Sequence, residues 1–138
     1  MSIVLVSVHD NKYEPLAEWT LHKNKKLYCE KHGYILHYSN DGGSSIAGKP
    51  MQPLQPPIAD THIPIGWGKI FVMRQAMQKY PNAEWIFNTD CDVMITNMET
   101  KIEDIIKSYA RENTHIIIPA DCNGINCGNM LIRNSPVG

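Results

Sequence analysis

The chain opens on the strand-like run Ser2-Ile3-Val4-Leu5-Val6-Ser7-Val8, unbrokenly apolar from Ile3 to Val6 and followed at once by the polar His9-Asp10-Asn11-Lys12. A continuous β-branched run, as opposed to an alternating one, predicts a strand covered on both faces. From Pro15 to His32 the pattern turns helical: Pro15 suits a first turn, Leu, Lys, Glu and Ala fill the interior, and Gly33 stands where a left-handed C-terminal residue belongs. Tyr34 to Tyr38 reads as a second short strand, so the opening is a β-α-β unit with an expected right-handed crossover.

Between residues 39 and 66 the character changes, with Gly42, Gly43, Gly48, Pro50, Pro53, Pro56, Pro57, Pro64 and Gly66 breaking any periodicity. Irregular stretches of that length are uncommon inside compact domains and are usually functional or mobile, so 39–66 is expected as a Pro/Gly-rich loop. Trp67, Ile70, Phe71, Met73, Ala76, Met77 and Tyr80 then fall at helical spacing, with Pro81 and Asn82 as the stop. Trp67, Trp85 and the methionines are expected in the core. Glu84 to Phe87 reads as a strand running into Asn88-Thr89-Asp90-Cys91-Asp92, with the apolar Val93-Met94-Ile95 beyond. Lys101 to Ala110 is an amphipathic helix with Ile102, Ile105, Ile106 and Tyr109 on one face. Thr114 to Pro119 is a fourth strand, Asp121 to Gly128 a Gly/Asn-rich turn, and Asn129 to Arg133 a final strand. Strands alternating with helices predict an α/β fold, a mainly parallel sheet flanked by helices, in one domain over 1–138.

Composition narrows the class. With 138 residues, 43% of them hydrophobic, the chain buries a core without metal or disulfide staples, which excludes disordered and collagen-like classes. Its 13 basic and 14 acidic residues give a net charge of -1. Nucleic acid and anionic lipid are therefore excluded as partners, since both demand a basic face. The local basic run Lys23 to Lys26 is expected as a solvated helix face. No apolar run approaches the roughly 20 residues that span a bilayer, and no secretory signal is expected, which points to a cytoplasmic chain. The four cysteines, Cys29, Cys91, Cys122 and Cys127, are scattered and are expected as reduced thiols.

Asp90-Cys91-Asp92 is the sharpest chemical feature, because it sits at the C-terminal end of a predicted buried strand, the edge where open parallel sheets bind ligands. Two carboxylates two residues apart repel each other and gain nothing unless a cation or donors sit between them. Hard oxygen ligands select Mg²⁺ or Mn²⁺, which complete their coordination with water and phosphate oxygens. Ser7 and His9 lie at the first strand's C-terminal edge, His9 where a base could stack, and Lys69 and Arg74 lie near the start of the helix after the loop. Of these, Ser7, His9 and Lys69, with Asp90, are the expected contacts to a nucleotide and its diphosphate. In the second cluster, Asp121 to Gly128, glycines let the backbone approach a ligand closely and amide side chains suit sugar hydroxyls. Zinc finds no support, since Cys91, His115, Cys122 and Cys127 form neither a CxxC pair nor an HxxxH helix.

Four stretches in register carry a resemblance. They are Asn24-Lys25-Lys26-Leu27-Tyr28-Cys29 with Lys31-His32-Gly33-Tyr34; Trp67-Gly68-Lys69-Ile70 with Arg74; Tyr80-Pro81 with Glu84 to Phe87 and Asp90-Cys91-Asp92; and Gly124 to Gly128 with Leu131-Ile132-Arg133-Asn134. Together they resemble the galactosyl-, mannosyl- and xylosyltransferase family of fungal α-galactosyl- and mannosyltransferases and plant xyloglucan xylosyltransferases. The resemblance implies a GT-A-type, Rossmann-like fold and retaining transfer of a hexose or pentose from a UDP- or GDP-sugar to a glycan acceptor. It implies that Asp90 and Asp92 hold Mn²⁺ or Mg²⁺ on the donor diphosphate, and that Asp121, Asn126 and Gly128 line the donor-sugar pocket. Cys91 stands where relatives carry Ser or Ala, and Cys127 where they carry Thr. Relatives continue beyond the position of Gly138 into an acceptor-side half, so the chain is expected to lack or truncate that half, and no catalytic residue is assigned within it. A Golgi lumenal setting is expected if the chain is a trimmed catalytic domain.

Two alternatives accompany this reading. Asp90, Asp92 and Thr96 also fit the Asp-x-Asp-x-x-x-Thr loop of haloacid-dehalogenase phosphotransferases, in which Asp90 would be the nucleophile. A non-catalytic nucleotide-sugar-binding module is the other.

Overall fold

The structure, a computed structural model, describes residues 1–47, 51–52 and 63–138. Its first part runs β1 (Ile3–Val8), a 3-10 turn (Asn11–Tyr13), α1 (Glu14–Ala17), a π-helical segment (Glu18–Lys25), α2 (Lys26–His32) and β2 (Ile35–Ser39). Then come α3 (Ser44–Ala47), β3 (Met51–Gln52), β4 (Ile63–Pro64), a second 3-10 turn (Ile65–Trp67) and α4 (Gly68–Lys79). Last are β5 (Trp85–Thr89), α5 (Ile102–Tyr109), β6 (Ile116–Ile117), β7 (Ala120–Asp121), β8 (Gly124–Ile125) and β9 (Asn129–Arg133).

Five strands form the main sheet in the order β2-β1-β5-β9-β6. β1 pairs in parallel with β2 and β5, so their C-terminal ends share one edge. β9 runs antiparallel to both β5 and β6. The expected α/β architecture holds, with one reversed strand inside a mainly parallel sheet.

The opening run explains the layering. Successive strand side chains point to opposite faces. Ile3 and Leu5 enter a cluster with Tyr28, Cys29, Ile102 and Ile106, while Val4 and Val6 enter another with Val72, Met73 and Ala76. α2 and α5 therefore cover one face and α4 the other, which is why β1 reads as a continuous apolar run. α4 starts hard against the turn after β2: a Cβ on Gly68 would lie 1.9 Å from the Gly42 carbonyl oxygen, so only glycine fits there. This contact sets where the first turn of α4, with Lys69, meets the sheet edge.

Several expectations need correction. The helix over 15–32 is not one α-helix, because the Lys26 N–H reaches back five residues to the Leu21 carbonyl, the wider π turn. Gly33 does cap it in the left-handed region, at φ 72°. The stretch 39–66 is not structureless throughout, since α3 and the parallel pair β3–β4 fall within it; residues 48–50 and 53–62 lie outside the described residues. The strand over 114–119 shrinks to Ile116–Ile117 at the sheet edge, where Pro119 has no N–H to give a ladder. The turn after it holds the small hairpin β7–β8. Trp85 is buried, but Trp67 and Met94 are exposed, as is Tyr109 at the end of α5. Among the described residues no helix is long and apolar enough to cross a membrane.

Leu5 is fully buried whereas Ile125 is 73% exposed. Leu5→Ala is expected to cost about 2–5 kcal/mol in denaturant titration, and Ile125→Ala no more than about 0.5 kcal/mol.

Candidate functional site

The shared edge of β1, β2 and β5 gathers the polar segments that follow them: His9-Asp10, Ser39 to Gly43, and Asp90-Cys91-Asp92. A cleft of about 260 Å³ opens there, lined among others by Asp10, Tyr13, Lys69, Asp90 and Asp92. This is the place where parallel sheets bind ligands, because loops diverge from the strand ends and leave a crevice.

The Asp90–Asp92 turn is held through its backbone. The Asp90 N–H donates to the Gly128 carbonyl at 2.8 Å, and the Asp90 carbonyl accepts from the Val93 N–H at 3.1 Å. The same carbonyl accepts from the Lys25 ammonium at 2.7 Å, and the Cys91 carbonyl accepts from the Thr20 hydroxyl. Further along, the Asn24 side-chain amide donates to the Ile95 carbonyl at 2.9 Å and accepts from the Ile95 N–H at 2.8 Å.

The carboxylates differ in their surroundings. Asp90 Oδ1 lies 2.5 Å from the Lys69 ammonium, which also donates to the Cys127 carbonyl at 3.2 Å. Asp92 is exposed and makes no hydrogen bond or ion pair among the described residues. One carboxylate is therefore neutralised by a lysine, and the other stands open to the cleft.

Lys25 belongs to the basic run expected on a solvated face, and that expectation is corrected: its side chain is fully buried beneath the turn. Burial pushes its pKa down to about 8, against the raising influence of the Cys91 thiol and the Asp90 and Asp92 carboxylates. Burial likewise raises the Cys91 thiol, with Asp92 adding to the effect.

The structure also places the other predicted residues. Lys69 meets Asp90 as described, while Arg74 is exposed on α4 and does not line the cleft. Ser7 is fully buried in β1 and lies beneath the cleft, not in its lining, with no partner for its hydroxyl among the described residues. His9 borders the cleft, but its side chain is fully buried, Nε2 lies 2.7 Å from Glu14 Oε2, and its ring stacks on Tyr38 at 6.4 Å between centroids. Its faces are thus taken by protein, and the exposed rings beside it are Tyr13 and Tyr38.

In the second cluster, Asp121 accepts from the Asn126 side-chain amide at 2.8 Å and from the Asn123 N–H at 2.7 Å. Both bonds hold its carboxyl below the usual carboxylate range. Asn126 Oδ1 in turn accepts from the Gly128 N–H at 2.8 Å. A Cβ on Gly128 would sit 2.9 Å from Asn126 Oδ1 and 3.6 Å from Asp90 Oδ2, so this glycine lets the Asn126 loop close onto the carboxylate. Asn126 and Gly128 are brought to Asp90; Asp121 reaches it only through Asn126.

Thr20, Asn24 and Lys25 were not singled out from sequence as site residues. The signal for Asn24 and Lys25 lies in the stretch that opens at Asn24, masked by the ordinary reading of a lysine run on a helix, while Thr20 falls in none of the four stretches.

Comparison with known proteins adds likeness in sequence and in fold. The sequence signature of the galactosyl transferase GMA12/MNN10 family matches residues 1–111. The alpha-1,2-galactosyltransferase of Schizosaccharomyces pombe is 29% identical over 90% of this chain and 38% of its own length. The probable alpha-1,6-mannosyltransferase MNN10 of Saccharomyces cerevisiae is 27% identical over 86% of this chain and 34% of its own. Galactomannan galactosyltransferase 1 of Cyamopsis tetragonoloba is 31% identical over 81% of this chain and 23% of its own. The chain thus spans well under half the length of these relatives. Among solved structures, a glycosyltransferase involved in the glycosylation of the major capsid of PBCV-1 shares the fold, with a TM-score of 0.70 at 22% identity, over 96% of this chain and 60% of that one.

Gly128→Ala is expected to push Asn126 away and break its bond to the amide of residue 128. That amide should exchange with solvent faster, consistent with loss of a hydrogen bond contributing about 1 kcal/mol, while the melting temperature falls only slightly.

Proposed function

Because the chain belongs to the galactosyl transferase GMA12/MNN10 family, and is therefore a glycosyltransferase or a part of one, we propose that its sheet-edge cleft binds the diphosphate of a nucleotide sugar through a divalent cation held by Asp90 and Asp92. The observation that carries the reading is the convergence in one cleft of an open carboxylate, Asp92, and a lysine-paired carboxylate, Asp90, with the glycine-closed Asn126 loop set against Asp90. The family match also sets the phosphotransferase alternative aside.

The residues present fit Mn²⁺ or Mg²⁺. Both aspartates offer hard oxygen, and no group of three or more His, Cys, Asp or Glu side chains converges among the described residues. A cleft with few protein carboxylates, here Asp90 and Asp92 with Asp10 also in the lining, is the kind that these ions occupy together with water and substrate phosphates. Bound there, the cation would supply charge stabilisation to the leaving diphosphate as the anomeric bond breaks.

The chain's own groups take complementary parts. Asp10, Asp90 and Asp92 carry three negative charges, and Lys25 and Lys69 two positive ones, so the five groups sum to -1. A divalent cation added alone turns this into an excess of positive charge, which the negative charge of a diphosphate offsets. Lys69, at the start of α4, already reaches Asp90 and is placed to donate to a phosphate oxygen instead. Tyr13, in the cleft lining with His9, offers an exposed ring for a base. Asn126, held by Asp121, presents its amide next to Asp90, where a donor sugar attached to the diphosphate would lie. Transfer of a hexose or pentose with retention to a glycan acceptor, in the Golgi lumen or the cytoplasm, completes the reading as an expectation drawn from the family.

Asp92→Ala is expected to weaken UDP binding in the presence of manganese by at least about tenfold, or about 1.4 kcal/mol, in isothermal titration. EDTA should do the same to the unaltered chain. Unchanged UDP affinity in both cases would refute the cation bridge.

A further inference from the structure

The helix before β2 contains the π-helical segment Glu18–Lys25, and three of its side chains reach the far side of the Asp90 turn. Thr20 meets the Cys91 carbonyl, Lys25 the Asp90 carbonyl, and Asn24 both the N–H and the carbonyl of Ile95. All four contacts bridge 65–71 residues of sequence and fall on backbone atoms within six consecutive residues.

An ordinary α-helix could not aim these side chains together. At 3.6 residues per turn, positions five apart lie about 140° away from one another around the axis. Thr20 and Lys25 would then point to different faces. The i→i+5 turn, seen in the Lys26 N–H bond to the Leu21 carbonyl, takes in more residues per turn and shrinks that offset. Thr20 contributes to the distortion as well: its single hydroxyl proton lies between the Leu16 carbonyl, 3.1 Å away, and the nearer Cys91 carbonyl, so it competes with the helix's own ladder.

Packing alone gives no reason for this arrangement. A fully buried lysine is costly unless its ammonium is bonded and its charge answered. An apolar side chain of similar length would fill the space at lower cost. The polar residues make sense as a brace for a turn whose two carboxylates repel each other.

We infer that Thr20, Asn24 and Lys25, brought onto one face by the π turn, are positioning residues that fix the backbone of residues 90–95 and thereby set the spacing of the Asp90 and Asp92 carboxylates toward a divalent cation. This inference rests on the cation-bridged reading of the cleft. The three residues touch neither cation nor substrate; they act through the turn.

The test compares Thr20→Val, which keeps shape and removes the hydroxyl, Thr20→Ser, which restores it, and Lys25→Met. Ile106→Val, a core change on the same side of the sheet, controls for lost stability. Manganese affinity in the presence of UDP is read from the free-ion electron paramagnetic resonance signal, and amide exchange is followed over residues 91–95. Thr20→Val and Lys25→Met are expected to bind manganese about 10–100-fold more weakly, with faster exchange over 91–95. Thr20→Ser and Ile106→Val should match the unaltered chain in affinity. If Lys25→Met fails to fold, the Thr20 pair decides. An unaltered chain that binds manganese with UDP, alongside a Thr20→Val variant of equal affinity, overturns this inference alone. An unaltered chain that takes up no manganese overturns the cation reading and this inference with it.

Discussion

Two carboxylates on one short turn repel each other, and the architecture around Asp90 and Asp92 is arranged to hold that turn against the repulsion. Its backbone is tied on one side to β9 through Gly128 and on the other to the π-helical segment through Thr20 and Lys25. Its charge is met by an ammonium at the rim of the cleft, Lys69, and another beneath it, Lys25. With the backbone braced from both sides, Asp92 can remain open to solvent without hydrogen-bond or ion-pair partners among the described residues.

The reversed strand completes the site. Antiparallel pairing of β9 with β5 places Thr89 opposite Asn129, so the residue after one strand, Asp90, meets the residue before the other, Gly128. A parallel neighbour in the same position would send its preceding loop to the opposite edge of the sheet. The pairing also fixes which face each side chain occupies, because a one-residue slip would exchange the two faces of β9 throughout. Leu131 would then leave the cluster containing Leu5 and Trp85, so core packing and site geometry are secured by the same register.

The matched family signature ends at residue 111, before the Asn126 loop and β9. The fold shared with the PBCV-1 glycosyltransferase extends over 96% of the chain. In physical terms the first part supplies the parallel strands, the aspartates, both lysines and the brace, and the last part supplies the closing loop. The cleft needs both, since Lys69 bonds at once to Asp90 from the first part and to the Cys127 carbonyl from the last.

The sequence by itself determined the layers and the location of the candidate site. The continuous run Ile3 to Val6 demanded cover on both faces, the helical spacing from Ile70 to Tyr80 supplied one layer, and Asp90-Cys91-Asp92 after a buried strand pointed to the sheet edge. These are local patterns, and period and punctuation report them directly. What only the tertiary structure decided depends on contacts between distant residues. The direction of β9, the burial of the His9 ring against Glu14 and Tyr38, and the exposure of Trp67 cannot be read from neighbours in the chain. Lys25 shows the reason most plainly. A lysine in a basic helical run is a surface residue at 100° per position, and only the wider π turn, stabilised by partners some 65 residues away, swings it under the aspartates.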